Sequence, residues 1–232
     1  MVGAIAFCLS TASAVIDPRA NDPLLELLDE RAVPYATLGR DIKRLGAPVS
    51  VVNNDKRAIT GEALDGLHAR GMRNVLLVMA DAGQSYMTDV ADAVKEWAGD
   101  RADVVAAVAV LPLPFRPRNA VDRVRQACRE GTDTIYLAVE AALPAVLEGI
   151  AAAGCRIPED VQVLATTDST QAQLAQPPVS AVDLQPAALG QRLFGLLKAR
   201  VGGDAADIDR IVTARFPWRD STRPPDLRSA SP

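Results

Sequence analysis

The chain has 232 residues, 49% of them apolar and 23% charged, the balance of a soluble globular protein long enough for one large domain or two lobes. A formal net charge of −4 offers no basic field for a nucleic-acid surface, and no apolar run approaches the length of a membrane span. Cys8, Cys128 and Cys155 are odd in number and far apart, with no Cys-x-x-Cys pair, so they read as small apolar residues of a reducing compartment rather than a disulfide frame or metal site.

The N-terminus admits two readings. Met1 to Ala14 ends in Ala12-Ser13-Ala14 as a short secretory signal does, but no basic residue precedes Arg19 and the apolar core is short. The preferred reading is a buried strand over Gly3–Leu9 whose polar continuation lies in a loop. Asp22–Arg31 follows as a helix carrying Leu24, Leu25, Leu27 and Leu28, capped by Asn21 or Asp22. Val33–Leu38 and Val49–Asn53 read as strands. Arg57–Arg70 is a helix stopped by Gly71, with Ile59, Ala63, Leu64 and Leu67 spaced for burial. Asn74–Ala80 is apolar on both faces, as a central parallel strand is.

Thr88–Trp97 is amphipathic, Val104–Val110 is a strand, and Leu111–Pro117 is a stiff extended loop. Asn119 is placed to cap a helix carrying Val121, Val124 and Cys128. Thr132 to Leu137 has the length of a buried strand, and Ala141 to Gly154 places Leu143, Val146, Leu147 and Ile150 at helical spacing before a glycine stop. Pro158 blocks further helix, and Val161 to Ala165 is a second strand. Thr166 to Thr170 is a polar break past that strand's carboxyl end, where ligands sit in open α/β sheets. Pro186–Val201 is a helix with Leu189, Leu193, Leu196, Leu197 and Val201 on one stripe, and Gly202-Gly203 ends it. The Pro/Ser-rich tail from Arg223 is expected to be disordered. Strand alternating with helix throughout specifies right-handed crossovers and parallel sheets.

Catalytic constellations are missing. His68 is the only histidine, which excludes a Ser-His-Asp triad or a multi-histidine metal site, and on a helix between apolar turns it reads as structural. Glu159-Asp160 follows a proline at a strand start, the setting of a solvated turn. Trp97 and Trp218 read as packing. Asp168 stands at a strand end, either as a turn or helix cap for Ser169–Leu174 or as a ligand hydrogen bond. No catalytic residue, cofactor or metal is expected.

The run GCRIPEDVQVLATTD at 154–168, with PPVSAVDLQPAALG at 177–190, resembles the C-terminal half of the effector-binding domain of LacI/GalR transcription regulators. Val33 to Arg40, Val51 to Asp55, Leu67 to Leu77 and the Arg219-Asp220-Ser221-Thr222 ending agree with the same pattern. The resemblance implies an α/β, two-lobed periplasmic-binding-protein-like fold (type I) with parallel sheets flanked by helices. Residues 1–54 plus 185–216 would form a truncated N-lobe, 55–184 the C-lobe, and 223–232 the tail. It implies a cytoplasmic regulator that binds a small-molecule effector in the cleft between lobes and pairs as a homodimer or with a full-length paralogue. Leu143 and Pro144 are candidates for that dimer surface.

The resemblance begins partway into the family's pattern. The helix-turn-helix, hinge helix and two strand–helix units that precede the strand matched to Gly3–Leu9 have no counterpart. DNA would therefore be reached only through a missing N-terminal head, and an in-frame extension upstream of Met1 is expected. In a flavodoxin-like order this leaves Gly3–Leu9 at the sheet edge, with part of Ile5, Phe7 and the Leu189–Leu197 stripe facing water.

The cleft candidates carried over are Asp55, Tyr86, Val90, Val139, Glu140, Thr167 and Asp168. Val90 stands where the family commonly has an effector-holding arginine, and Val139 where it has an asparagine, with Glu140 replacing the neighbouring aspartate. Thr167 replaces the first aspartate of an Asp-Asp pair, leaving Asp168, and Gly71-Met72 replaces a Gly-His pair. Valines in place of a bidentate donor and an amide would leave sugar hydroxyls unpaired, at about 1–3 kcal/mol each. The expected effector is accordingly not a simple hexose or pentose, unless the sensing site has lapsed. The alternative is a solute-binding protein of a transport system, which shares the fold.

Overall fold

The computed structural model describes residues 5–9, 12–44, 51–80, 83–203 and 210–225. Its elements are β1 (Ile5–Leu9), β2 (Ala12–Ile16), α1 (Pro23–Glu30), β3 (Tyr35–Leu38), β4 (Val51–Asn53), α2 (Lys56–His68), β5 (Asn74–Ala80), α3 (Ser85–Gly99), β6 (Val105–Leu111), α4 (Pro117–Arg129), β7 (Thr134–Leu137), α5 (Leu143–Ala152), β8 (Gln162–Ala165), α6 (Thr170–Leu174), β9 (Ser180–Ala181), α7 (Pro186–Val201) and β10 (Arg210–Ile211). They form two compact units. Unit 1 is Met1–Lys56, Ala82–Asp89 and Leu184–Ala214; unit 2 is Arg57–Asp81, Val90–Asp183 and Arg215–Pro232.

Unit 1 holds a sheet in the order β1-β2-β3-β4-β10. Pairing is parallel from β2 through β10. Successive side chains alternate faces, so Ala12, Ala36 and Val52 meet the Leu189, Leu193, Leu196 and Leu197 stripe of α7, while Val15 and Tyr35 meet Leu25 and Leu28 of α1. Asp22, not Asn21, caps α1, its carboxylate accepting from Leu24 N–H at 3.0 Å.

Two expectations for this unit are corrected. The polar stretch after Leu9 is a strand, β2, which pairs with β1 antiparallel and supplies the parallel neighbour of β3. Residues as small as Ala12, Ser13 and Ala14 fit a strand whose Ala12 and Ser13 are 2% and 1% exposed. The α7 leucines do not face water: Leu189, Leu193, Leu196 and Leu197 are all buried, whereas Val201, read on the same stripe, is 51% exposed in the helix's last turn. β1 does occupy the sheet edge; the side chains of Ile5 and Phe7, and Gly3 itself, lie outside the described residues.

Unit 2 holds a five-stranded parallel sheet, β6-β5-β7-β8-β9. Its core gathers Leu76 and Val78 of β5, Ile135 and Leu137 of β7, Val163 and Ala165 of β8, and Val124, Val146 and Ile150 of α4 and α5. α4 starts at Pro117 rather than being capped by Asn119, because a proline's fixed φ suits the first helical position; its N-cap, Arg116, makes no side-chain cap bond. The helix read over Ala141–Gly154 divides into a 3-10 turn, Glu140–Ala142, and α5.

Residues 215–223 run back along unit 2. Ser221 Oγ donates to Val163 O at 2.6 Å, and Ser221 O accepts from Val163 N–H at 2.9 Å. Arg223, expected in a disordered tail, is anchored: its N–H donates to Gln162 Oε1 at 2.9 Å and its Nε to Pro158 O at 3.0 Å.

Candidate functional site

In unit 1 the carboxyl ends of β2, β3 and β4 converge on a polar cluster. Asp17 follows β2, Gly39 and Arg40 follow β3, and Lys56 opens α2 just after β4. Asp17 N–H donates to Leu38 O at 2.8 Å and Gly39 N–H to Val52 O at 3.0 Å, so the three strand ends are held in step. The start of α3 joins them, with Ala20 N–H donating to Gly83 O at 2.9 Å and Arg40 N–H to Ser85 Oγ at 3.4 Å.

Gly39 has φ +81°, and a Cβ there would stand 3.1 Å from Asp17 Oδ1. Glycine thus serves both the left-handed turn and the close approach of the carboxylate. Arg40 and Asp89 form a bidentate pair, Nη2 to Oδ1 at 2.7 Å and Nη1 to Oδ2 at 2.8 Å.

Three titratable groups of the cluster are displaced from their ordinary behaviour. Burial pushes the Asp17 carboxyl up, partly opposed by the charge of Lys56. Burial lowers the Lys56 ammonium to about 8, with Asp17 and Asp89 pulling the other way. Burial and the Asp17 charge push the Tyr86 phenol up to about 12. These side chains lie within one another's fields, yet none of the three makes a hydrogen bond or ion pair to another described residue. A half-buried acid, amine and phenol that make no side-chain hydrogen bond to a described residue are groups that a polar ligand would satisfy.

Of the sequence-predicted residues, Tyr86 belongs to this cluster and Asp55, exposed, immediately precedes Lys56. The others lie in unit 2. Val90 is buried at 3% exposure in α3. Val139 is half-buried against the large core and Glu140 is exposed, both just past β7. Thr167 is exposed past β8. Asp168 is engaged on both oxygens: Oδ2 accepts from Arg219 Nη2 at 2.8 Å and Oδ1 from Gln173 Nε2 at 3.2 Å. Arg219 also donates through Nη1 to Val179 O at 2.7 Å, so the pair ties the C-terminal run to the β8 and β9 ends. Ser169, not Asp168, caps α6, its Oγ accepting from Ala172 N–H.

His68, Asp160 and Trp97 have structural partners. His68 Nε2 lies 3.0 Å from Asp103 Oδ2. Asp160 is paired with Arg156, whose hydrogen bonds lower its carboxyl to about 2. Trp97 Nε1 donates to Asp65 at 2.8 Å, and Trp218 packs on Gly66 beneath the Arg70 guanidinium, 3.7 Å away. Leu143 and Pro144 line an open apolar hollow of about 370 Å³ with Leu147 and Leu174.

Sequence reasoning missed Asp17 and Lys56. Taking Gly3–Leu9 as the parallel strand moved the strand end to Ser10; placing it at Ile16 would have put Asp17 at a ligand-facing terminus.

The model of the periplasmic binding protein-like domain family matches residues 64–222. A curated relative, the HTH-type transcriptional regulator CelR of Thermobifida fusca, is 29% identical over 200 residues, which is 83% of this chain and 57% of that protein. The chain thus spans just over half of that relative's length. Among solved structures, a CelR–cellobiose complex superposes with a TM-score of 0.79 at 24% identity, covering 90% of this chain and 64% of that one. A transcription regulator-like protein from Staphylococcus haemolyticus gives 0.79 at 18% identity, with coverages of 90% and 74%. A LacI family regulator from Enterococcus faecium with bound ribose gives 0.76 at 18%, with coverages of 92% and 80%. These likenesses establish the fold.

Proposed function

This chain belongs to the periplasmic binding protein-like domain family, and we propose that it is the effector-sensing and dimerisation region of a LacI/GalR-type transcriptional regulator, with its effector contacts centred on Asp17, Lys56 and Tyr86. The observation that carries this reading is that those three side chains are half-buried within one another's fields, with no side-chain hydrogen bond to another described residue, at strand ends where α/β sheets take ligands. Its relative CelR is a transcriptional regulator rather than an enzyme, and the proposed role here is likewise binding, in the cytoplasm. Among the described residues no helix is long and apolar enough to cross a membrane.

The fitting effector is a small polar molecule that gives a hydrogen bond to the Asp17 carboxylate and accepts from Lys56 and Tyr86. Asp168, the aspartate kept from the family's pair, is held by Arg219 and Gln173 rather than free for sugar hydroxyls, so simple hexoses and pentoses are poor candidates. The test is a melting screen of hexoses, pentoses, disaccharides, amino acids and hydroxy acids. A true effector at a thousand times its Kd adds about 4 kcal/mol. Asp17→Asn and Lys56→Met should each cut its affinity about tenfold or more. An effector bound equally well by both variants would place recognition elsewhere, and a simple hexose that stabilises the chain would overturn the effector class.

A further inference from the structure

We propose that Cys128 and Cys155 are a modification site, a thiol pair that hydrogen peroxide closes reversibly to a disulfide within unit 2. The proposal is independent of where the effector binds. α4 joins β6 to β7 and α5 joins β7 to β8, and these strands belong to one parallel sheet. Both helices therefore run against the strands, and their carboxyl ends lie at the same end of the sheet. They pack closely: a Cβ on Gly149 of α5 would stand 2.8 Å from Val121 O and 2.9 Å from Val124 Cβ of α4. Cys128 is one helical turn beyond Val124 on the same face. α5 ends at Ala152, and Gly154, at φ +80°, turns the chain so that Cys155 N–H donates back to Ile150 O at 3.2 Å. Cys155 thereby packs on the core that holds Cys128, and the two thiols share a side-chain hydrogen bond. Both are free thiols.

The two sulfurs differ in access, which sets their order of reaction. Cys128 is 8% exposed. Burial, with the charge and hydrogen bond of Cys155 added, pushes its thiol up to about 12, so it stays protonated at neutral pH and resists direct attack. Cys155 is half-buried and meets a small oxidant first. Its sulfur takes one hydroxyl of the peroxide, the O–O bond breaks, and water leaves with the Cys155 proton. The product is a sulfenic acid beside the Cys128 thiol. The Cys128 sulfur then displaces that hydroxyl, which departs with the Cys128 proton as a second water. One S–S bond forms, and the two electrons given up by the sulfurs have reduced one peroxide to two waters. A dithiol reductant reverses the bridge by exchange, the behaviour expected of a disulfide in a reducing compartment.

The test is a non-reducing peptide mass map of the 232-residue chain after treatment with hydrogen peroxide. The expected product joins the peptides of Cys128 and Cys155, two hydrogens lighter than the separate thiols, and disappears on adding dithiothreitol. Cys128→Ala should leave Cys155 as the sulfenic acid, captured by dimedone. In Cys155→Ala the remaining Cys128 should react about tenfold or more slowly than Cys155 does in the wild type. The wild-type map decides the pairing even if either variant folds poorly. A wild-type chain in which Cys155 carries dimedone and no bridge forms would overturn the proposal. So would a bridge from either residue to Cys8, or a Cys128 that oxidises equally fast without Cys155.

Discussion

Replacing Lys56 by methionine should stabilise the unliganded protein while weakening its effector binding. A lysine in an unfolded chain titrates near 10.4, whereas burial lowers Lys56 to about 8. That displacement corresponds to roughly 3 kcal/mol against the charged form in the folded state. The amine keeps some exposure, so about 1–2 kcal/mol survives solvent screening. The folded-state value is depressed, so the cost is fully present below about pH 8 and is relieved as pH rises from there towards 10.4. Lys56→Met should therefore raise stability at pH 7 by about 1–2 kcal/mol, a melting-temperature gain of roughly 2–6 °C, and the gap to wild type should shrink by pH 9.5. Below pH 10 the Tyr86 phenol, pushed up to about 12, stays neutral and does not blur the comparison. Urea unfolding of both proteins at the two pH values measures the gap. A variant less stable at pH 7, or a gap unchanged by pH, would refute the view that Lys56 is a desolvated group held for a ligand.

Gly149→Ala should destabilise by about 1–3 kcal/mol, because the new Cβ would stand 2.8 Å from Val121 O and 2.9 Å from Val124 Cβ, a backbone contact that cannot yield cheaply. Gly61→Ala, in α2 with nothing within 4 Å, should instead stabilise by about 0.5–1 kcal/mol; melting temperatures of the two check the contrast. Arg219→Ala should cost about 2 kcal/mol by leaving the Asp168 carboxylate, 14% exposed, without its cation, and hydrogen exchange should show the loss at the β8 and β9 ends.

What the sequence made legible follows signal strength. β5 is apolar on both faces and the α7 leucines recur at helical spacing, so both elements could be read from residue type alone. β2 could not. Ala12, Ser13 and Ala14 differ too little in polarity to show a period of two, while Ile5 to Leu9 beside them is a stronger apolar run, and that run took the assignment. The site inherited the error, since a strand ending at Leu9 leaves Asp17 in mid-loop. Distance in sequence hid the rest: Arg40 and Asp89 are 49 positions apart, Asp168 and Arg219 51, and no local pattern announces either pair.

Val90 shows how a position can be placed by resemblance and still change meaning in the fold. Where the family commonly has an effector-holding arginine, this chain has a valine, which suggests that restoring the arginine would restore a grip on the effector. Its side chain, however, is 3% exposed in α3, and the polar groups proposed to meet the effector, Asp17, Lys56 and Tyr86, belong to unit 1. Val90→Arg would force a guanidinium into space shaped for an isopropyl group, with both overpacking and an unpaired buried charge against it. The expected outcome is a destabilisation of about 2–4 kcal/mol by urea unfolding and no gained affinity for hexoses by calorimetry. A Val90→Arg protein as stable as wild type that binds a hexose would show that the position faces ligand space after all, and that the valine belongs to a lapsed binding site rather than to the core.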